Sequence, residues 1–174
     1  MKPTLRCKID ELPILAERCK HQNPGEDDEL LALQPQVAQR GHLTKEDLRS
    51  VALWKSQRSA AYIKRNAPEY VQEVTGWALG SVTERARIEV LTLLDGVQWP
   101  TASVILHFFH PGDYPILDYR AIWSTALAVP KDYDFAFWWK YVENCRELAR
   151  RSGLDMRSVD QALWQYSKEN QVPA

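Results

Sequence analysis

The chain has 174 residues, enough for one compact domain, and a formal net charge of -1, which excludes a strongly basic field as the basis of nucleic-acid or membrane-surface binding. Cys7, Cys19 and Cys145 are odd in number and far apart, fitting neither a disulfide framework nor a zinc spacing, so a reducing compartment is expected. No stretch reaches about 18 uninterrupted apolar residues, and the N-terminal "MKPTLRCKIDELPILAERCK" carries acidic residues; neither a membrane span nor a signal peptide is expected. The expected location is the cytoplasm, at the nucleoid in a prokaryote.

In chain order, "ELPILAERCKHQ" (11–22) reads as a helix closed by "NPGEDD" at 23–28. "DELLALQPQVAQRG" reads as helical to about Gly41, with Pro35 bending or breaking it. Thr44 and Asp47 form a capping box for "KEDLRSVALWKS", in which Leu48, Val51, Ala52 and Leu53 make an apolar stripe. "SAAYIKRN" and "PEYVQEVTGWAL" follow as shorter helices split by Pro68, and Ser81 is the expected cap of "VTERARIEVLTLL". A loop at 109–115 leads to Asp118, placed to cap "YRAIWSTAL". Two C-terminal helices follow, the first ending at Gly153. "YPIL" is too short for a strand, so the class is all-α.

The stretch "LLDGVQWPTASVILHFF" (93–109) places a glycine-bearing turn with an apolar tip between two apolar helical runs. The start of its second helix presents backbone N–H groups and a positive dipole end, which suit a phosphate without help from basic side chains. The same pattern also describes an ordinary αα-hairpin. Val97 is expected to tuck between the helices and fix the turn.

The continuation "GVQWPTASVILHFFHPGDYPILDYRAIW" (96–123) resembles the helix-hairpin-helix, glycine/proline-rich, aspartate-bearing (HhH-GPD) superfamily of base-excision DNA glycosylases. Leu94, Gly96, Val97, Thr101 and Ala102 fall on its hairpin positions, and Pro115-Ile116-Leu117-Asp118 on the end of its motif. The interval from Pro100 to Asp118 matches the family's spacing between its variable lysine/serine position and its aspartate. Two departures stand out: Gln98 replaces the second hairpin glycine, and Pro100, which has no amine, stands where bifunctional members carry a Schiff-base lysine.

The resemblance implies one compact unit over 1–174 made of two helical lobes with a cleft between them. One lobe, 44–127, carries the hairpin (85–110) and Asp118; the other is 1–43 plus 128–174. It implies a monofunctional DNA glycosylase without β-lyase activity, acting as a monomer on double-stranded DNA. By the same resemblance, Asp118 is expected to stabilise the oxocarbenium-like sugar and orient water, and Gly96, Val97, Gln98 and Thr101 are expected to meet DNA phosphate. The family's four-cysteine iron–sulfur loop is absent, since Cys145 is the only C-terminal cysteine, so no cluster is expected, nor a metal held by side chains; a monovalent cation on turn carbonyls near Gly96 and Gln98 is a family trait that this turn could share.

Residue chemistry adds candidates for the base pocket and DNA face: Trp54, Lys55, Arg58, Tyr62, Trp138 and Trp139, each with core packing or a solvated face as the plain alternative. Trp138 and Trp139, adjacent on a helix, sit about 100° apart and cannot both face one way. Arg49, Lys55, Arg58, Lys64 and Arg65 form the best local basic cluster. His107 and His110 have a spacing compatible with a metal but lack a third ligand, so packing and loop contact are expected of them. Two other readings stand beside the enzyme: a non-catalytic DNA-binding or scaffolding protein that kept the hairpin, and an unrelated helical protein with a chance match.

Overall fold

In the computed structural model, which describes residues 3–172, Thr44, Asp118, Asp134 and Asp155 cap the helices that follow them with their side chains. The expected 1–174 unit extends past the described residues at 1–2 and 173–174. Among the described residues there are ten α-helices and no strand, so the chain is all-α. No helix among them is long and apolar enough to cross a membrane.

The helices form two compact units. One is Glu26–Gly112; the other runs to Gly25 and resumes at Asp113. This division differs from the grouping of 44–127 as one lobe. Asp118 belongs with the terminal segments, because the helix it starts packs on the last helix of the chain.

In the Glu26–Gly112 unit, α2 (Asp28–Arg40) runs through Pro35 without interruption and ends on Gly41 at φ 75. The box before α3 (Lys45–Lys55) forms in both directions: Thr44 Oγ1 accepts from Asp47 N–H at 3.1 Å, and Asp47 Oδ2 accepts from Thr44 N–H at 2.8 Å. Leu48, Val51 and Ala52 are buried as the stripe requires, but Leu53 is 42 % exposed because it lies past the edge of the buried face. Helices α4 (Gln57–Ile63) and α5 (Pro68–Gly80) follow, and Thr75 of α5 accepts the Leu43 N–H at 2.9 Å, tying the α2–α3 loop to α5.

Ser81 does not cap the next helix. α6 (Glu84–Glu89) starts after Thr83, and the Ser81 hydroxyl instead donates to the Thr83 carbonyl at 3.2 Å. Nor does the helix continue to the hinge: it tightens into a 3-10 turn over Val90–Leu93. α7 (Trp99–Phe109) is the centre of this unit. Every residue from Thr101 to Leu106 is buried, as expected of a helix apolar on all sides, and it packs against α2, α3 and α6.

In the other unit, α1 (Leu12–Gln22), α8 (Tyr119–Thr125) and α9 (Phe135–Ser152) pack on α10 (Met156–Asn170), which is buried over most of its length. Aspartates start three of these helices: Asp118, Asp134 and Asp155 accept N–H groups of Arg120, Phe137 and Ser158 at 3.0, 2.8 and 2.7 Å. α9 ends on Gly153 at φ 73. The three cysteines are free thiols, with Cys19 and Cys145 buried.

Candidate functional site

The hinge of the opening motif is a tight turn closed by the Val97 N–H donating to the Leu94 carbonyl at 3.0 Å. Gly96 sits at φ 82, the third position of a type II turn, where a side chain is strained. Space excludes a side chain as well. A Cβ on Gly96 would stand 2.7 Å from the Ser59 carbonyl oxygen and 3.0 Å from Tyr62 Cβ. The glycine therefore lets the turn lie directly on α4, which carries part of the basic cluster. Val97 is fully buried, and burial of such a side chain contributes roughly 1.5–3 kcal/mol to holding the turn.

A residue that the sequence reading passed over holds the turn from the other side. The buried side-chain amide of Asn66 accepts the Asp95 N–H at 2.9 Å and donates to the Asp95 carbonyl at 3.0 Å. Nothing in the local pattern marks Asn66, because its partner lies 29 positions away.

Past the turn, Gln98 is exposed and precedes α7, with no side-chain cap bond. Pro100 in the first turn of α7 removes one N–H, and the Val97 N–H is already used by the turn. Among the described residues, the N–H groups of Gln98 and Thr101 donate to no protein acceptor outside the helix, and they stand at its positive dipole end. The Thr101 side chain is itself buried, so its contribution there is its backbone. Asp95 is exposed at the tip, and its carboxylate opposes a phosphate. The carbonyls of Leu94, Asp95 and Gln98 each already accept a hydrogen bond, so a monovalent cation at this turn would share engaged oxygens.

Beside the turn, Tyr62 is 47 % exposed and carries the Arg65 guanidinium 4.7 Å above its ring. Arg49, Arg58, Lys64 and Arg65 are exposed, and Lys55 is half-buried. Lys45, Arg49, Gln57 and Lys64 line a surface cavity of about 490 Å³ between α3 and α4. Trp54 is half-buried: its indole N–H donates to the Glu26 carbonyl at 3.0 Å, and its ring meets Phe108 edge-on at 5.5 Å. His107 packs edge-on against Phe108, and His110 Nδ1 accepts the Gly112 N–H at 2.9 Å. Among the described residues, no three His, Cys, Asp or Glu side chains gather as metal ligands.

In the other unit, Asp118 is half-buried at the start of α8, its Oδ1 fixed 3.0 Å from the Arg120 N–H. Burial raises the Tyr133 hydroxyl above its ordinary range, and the nearby Asp118 carboxylate raises it further. Trp138 and Trp139 diverge. Trp138 is fully buried, stacked on Tyr114 at 5.8 Å, whereas Trp139 is partly open, stacked on Phe135 at 6.3 Å with Arg146 5.4 Å above it.

No family model matches the chain, and comparisons with curated proteins and with solved structures also return no match.

Proposed function

We propose that this protein is a monofunctional DNA glycosylase, which hydrolyses the N-glycosidic bond of a damaged, mispaired or modified base extruded from duplex DNA. The observation that carries this reading is the Asp118 cap: a partly open carboxylate held 3.0 Å from a helix N–H, following a hairpin whose glycine has the conformation such a turn needs. As the base departs, positive charge builds on the sugar. A fixed carboxylate stabilises that charge and orients or deprotonates the attacking water. Capping suits this role, because a carboxylate already held in place need not reorganise during the reaction.

The hairpin supplies affinity by a different route. Two backbone donors at the start of α7 and the cations of the adjoining α3–α4 segment meet phosphates, so binding does not depend on net charge. A base inside a duplex is out of reach of any such carboxylate, so extrusion is part of the reaction. Pro100 offers no amine for a Schiff base, and the products are a free base and an intact abasic strand.

The test is a panel of duplexes with natural, damaged and modified bases, incubated and then treated with hot alkali. Strand breaks that depend on alkali, present with the native chain and lost in Asp118→Asn, are the expected result. Asparagine keeps the cap, so fold and duplex affinity stay near native. A fully active Asp118→Asn variant overturns the assignment, and binding without base release from any duplex favours the non-catalytic DNA-binding reading.

A further inference from the structure

The stretch that delivers Asp118 is gripped two residues before it. The Ile116 N–H donates to Asp160 Oδ2 at 3.0 Å, and the Ile116 carbonyl accepts from the Tyr141 hydroxyl at 3.2 Å. Both partners are interior: Asp160 is 4 % exposed and Tyr141 fully buried. They come from α10 and α9, so two helices converge on one residue, holding the peptide on each side of it. Just after Asp118, α8 is tied to the same α10, since Ser124 Oγ donates to the Leu163 carbonyl at 2.6 Å.

A carboxylate taken out of water is costly, and an apolar side chain of similar shape fills a core at less expense. What a carboxylate adds here is a strong, directional acceptor for a backbone N–H. Residues 113–118 belong to no helix or strand, so no regular ladder fixes them. The Asp160–Ile116–Tyr141 arrangement supplies that constraint two residues before Asp118.

We propose that Asp160 and Tyr141 are positioning residues that clamp both polar backbone groups of Ile116 and so set where the Asp118 carboxylate stands. This rests on the reading of Asp118 as the catalytic carboxylate. Neither residue touches the substrate; each acts through the backbone that carries Asp118.

The test uses the full chain with Tyr141→Phe, Asp160→Asn and Asp160→Leu. Tyr141→Phe keeps the ring and loses the hydroxyl; Asp160→Asn keeps an accepting oxygen, and Asp160→Leu loses it. Single-turnover base release is expected to fall roughly ten- to a hundredfold in Tyr141→Phe and Asp160→Leu, with duplex affinity unchanged and most of the rate recovered in Asp160→Asn. A second readout needs no activity: the Arg120 amide, which reports the Asp118 cap, shifts and exchanges faster with solvent in the two impaired variants. Should Asp160→Leu fail to fold, Tyr141→Phe decides. An Arg120 amide identical to native in Tyr141→Phe overturns the clamp, whatever happens to the rate. If the native chain releases no base, the reading of Asp118 falls, and the Arg120 amide still tells whether the clamp sets the cap.

Discussion

The side chain of Asn66 pairs with the backbone of Asp95 as one strand pairs with another, accepting its N–H at 2.9 Å and donating to its carbonyl at 3.0 Å. That pairing joins the segment after α4 to the tip of the hairpin. Asn66→Ala leaves both backbone groups without their partner in a half-buried place, so the expected loss is about 1–3 kcal/mol. Urea unfolding checks it, with the midpoint lowered and the slope unchanged. Duplex affinity should fall with it, because the donors of Gln98 and Thr101 depend on the turn. A variant of native stability would show that the amide bonds add nothing beyond what water provides.

Gly96 and Gly41 share a left-handed backbone and differ in their surroundings. Gly96 at φ 82 faces the Ser59 carbonyl at 2.7 Å from a would-be Cβ, whereas nothing lies within 4 Å of one at Gly41, φ 75. Gly41→Ala then costs the conformational strain alone, about 1–2 kcal/mol. Gly96→Ala adds displacement of α4 from the turn, for a total of about 3 kcal/mol or more. Parallel chemical denaturation of the two variants measures the difference, and equal losses would contradict the close approach.

Features decided within a few residues were legible in the sequence. The Thr44–Asp47 box, the Asp118 cap and the glycines ending α2 and α9 depend on side chains reaching their own backbone, so spacing reveals them. Features decided by distant partners were not. Asn66 meets Asp95 across 29 positions, and Asp160 meets Ile116 across 44, with no periodicity to betray either. The unit boundary was hidden for the same reason: α8 follows the hairpin closely in sequence but packs on α10. Local competition explains the smaller misses. The Ser81 hydroxyl turns to the Thr83 carbonyl, Thr83 precedes α6 without a side-chain cap bond, and the 3-10 turn at Val90–Leu93 keeps the apolar spacing that a longer helix would show.

Alkaline pH probes the buried group of Tyr141 and Cys145. Burial holds both well above their ordinary values, and the Asp160 carboxylate adds to the shift in each. A raised folded-state value means that the native chain keeps a proton that the unfolded chain releases. Stability from Cys145 is therefore complete below its unfolded value of 9.0 and declines as pH climbs from there toward the folded value. The decline approaches about 1.4 kcal/mol per pH unit for one such group. Cys145→Ala should lower stability at pH 7 through lost packing, yet flatten the fall between pH 9 and 10. Urea unfolding at the two pH values reads both effects, and an unchanged alkaline slope would mean that the thiol does not contribute.

The cations beside the hairpin make the DNA reading measurable through salt. If Arg65, poised 4.7 Å over the exposed Tyr62 ring, neutralises one phosphate, it releases about one counterion on binding. Arg65→Gln is then expected to weaken every duplex to a similar degree and to reduce the slope of log affinity against log salt by about 1. Arg85 is the control. It lies on α6 with its guanidinium 3.0 Å from Glu89, already neutralised within the chain, so Arg85→Gln should leave the slope alone. Fluorescence anisotropy over a salt series distinguishes the two. If Arg65→Gln binds as the native chain does at every salt concentration, Arg65 neutralises no phosphate, and the contacts rest on the hairpin amides and the remaining cations of the α3–α4 segment.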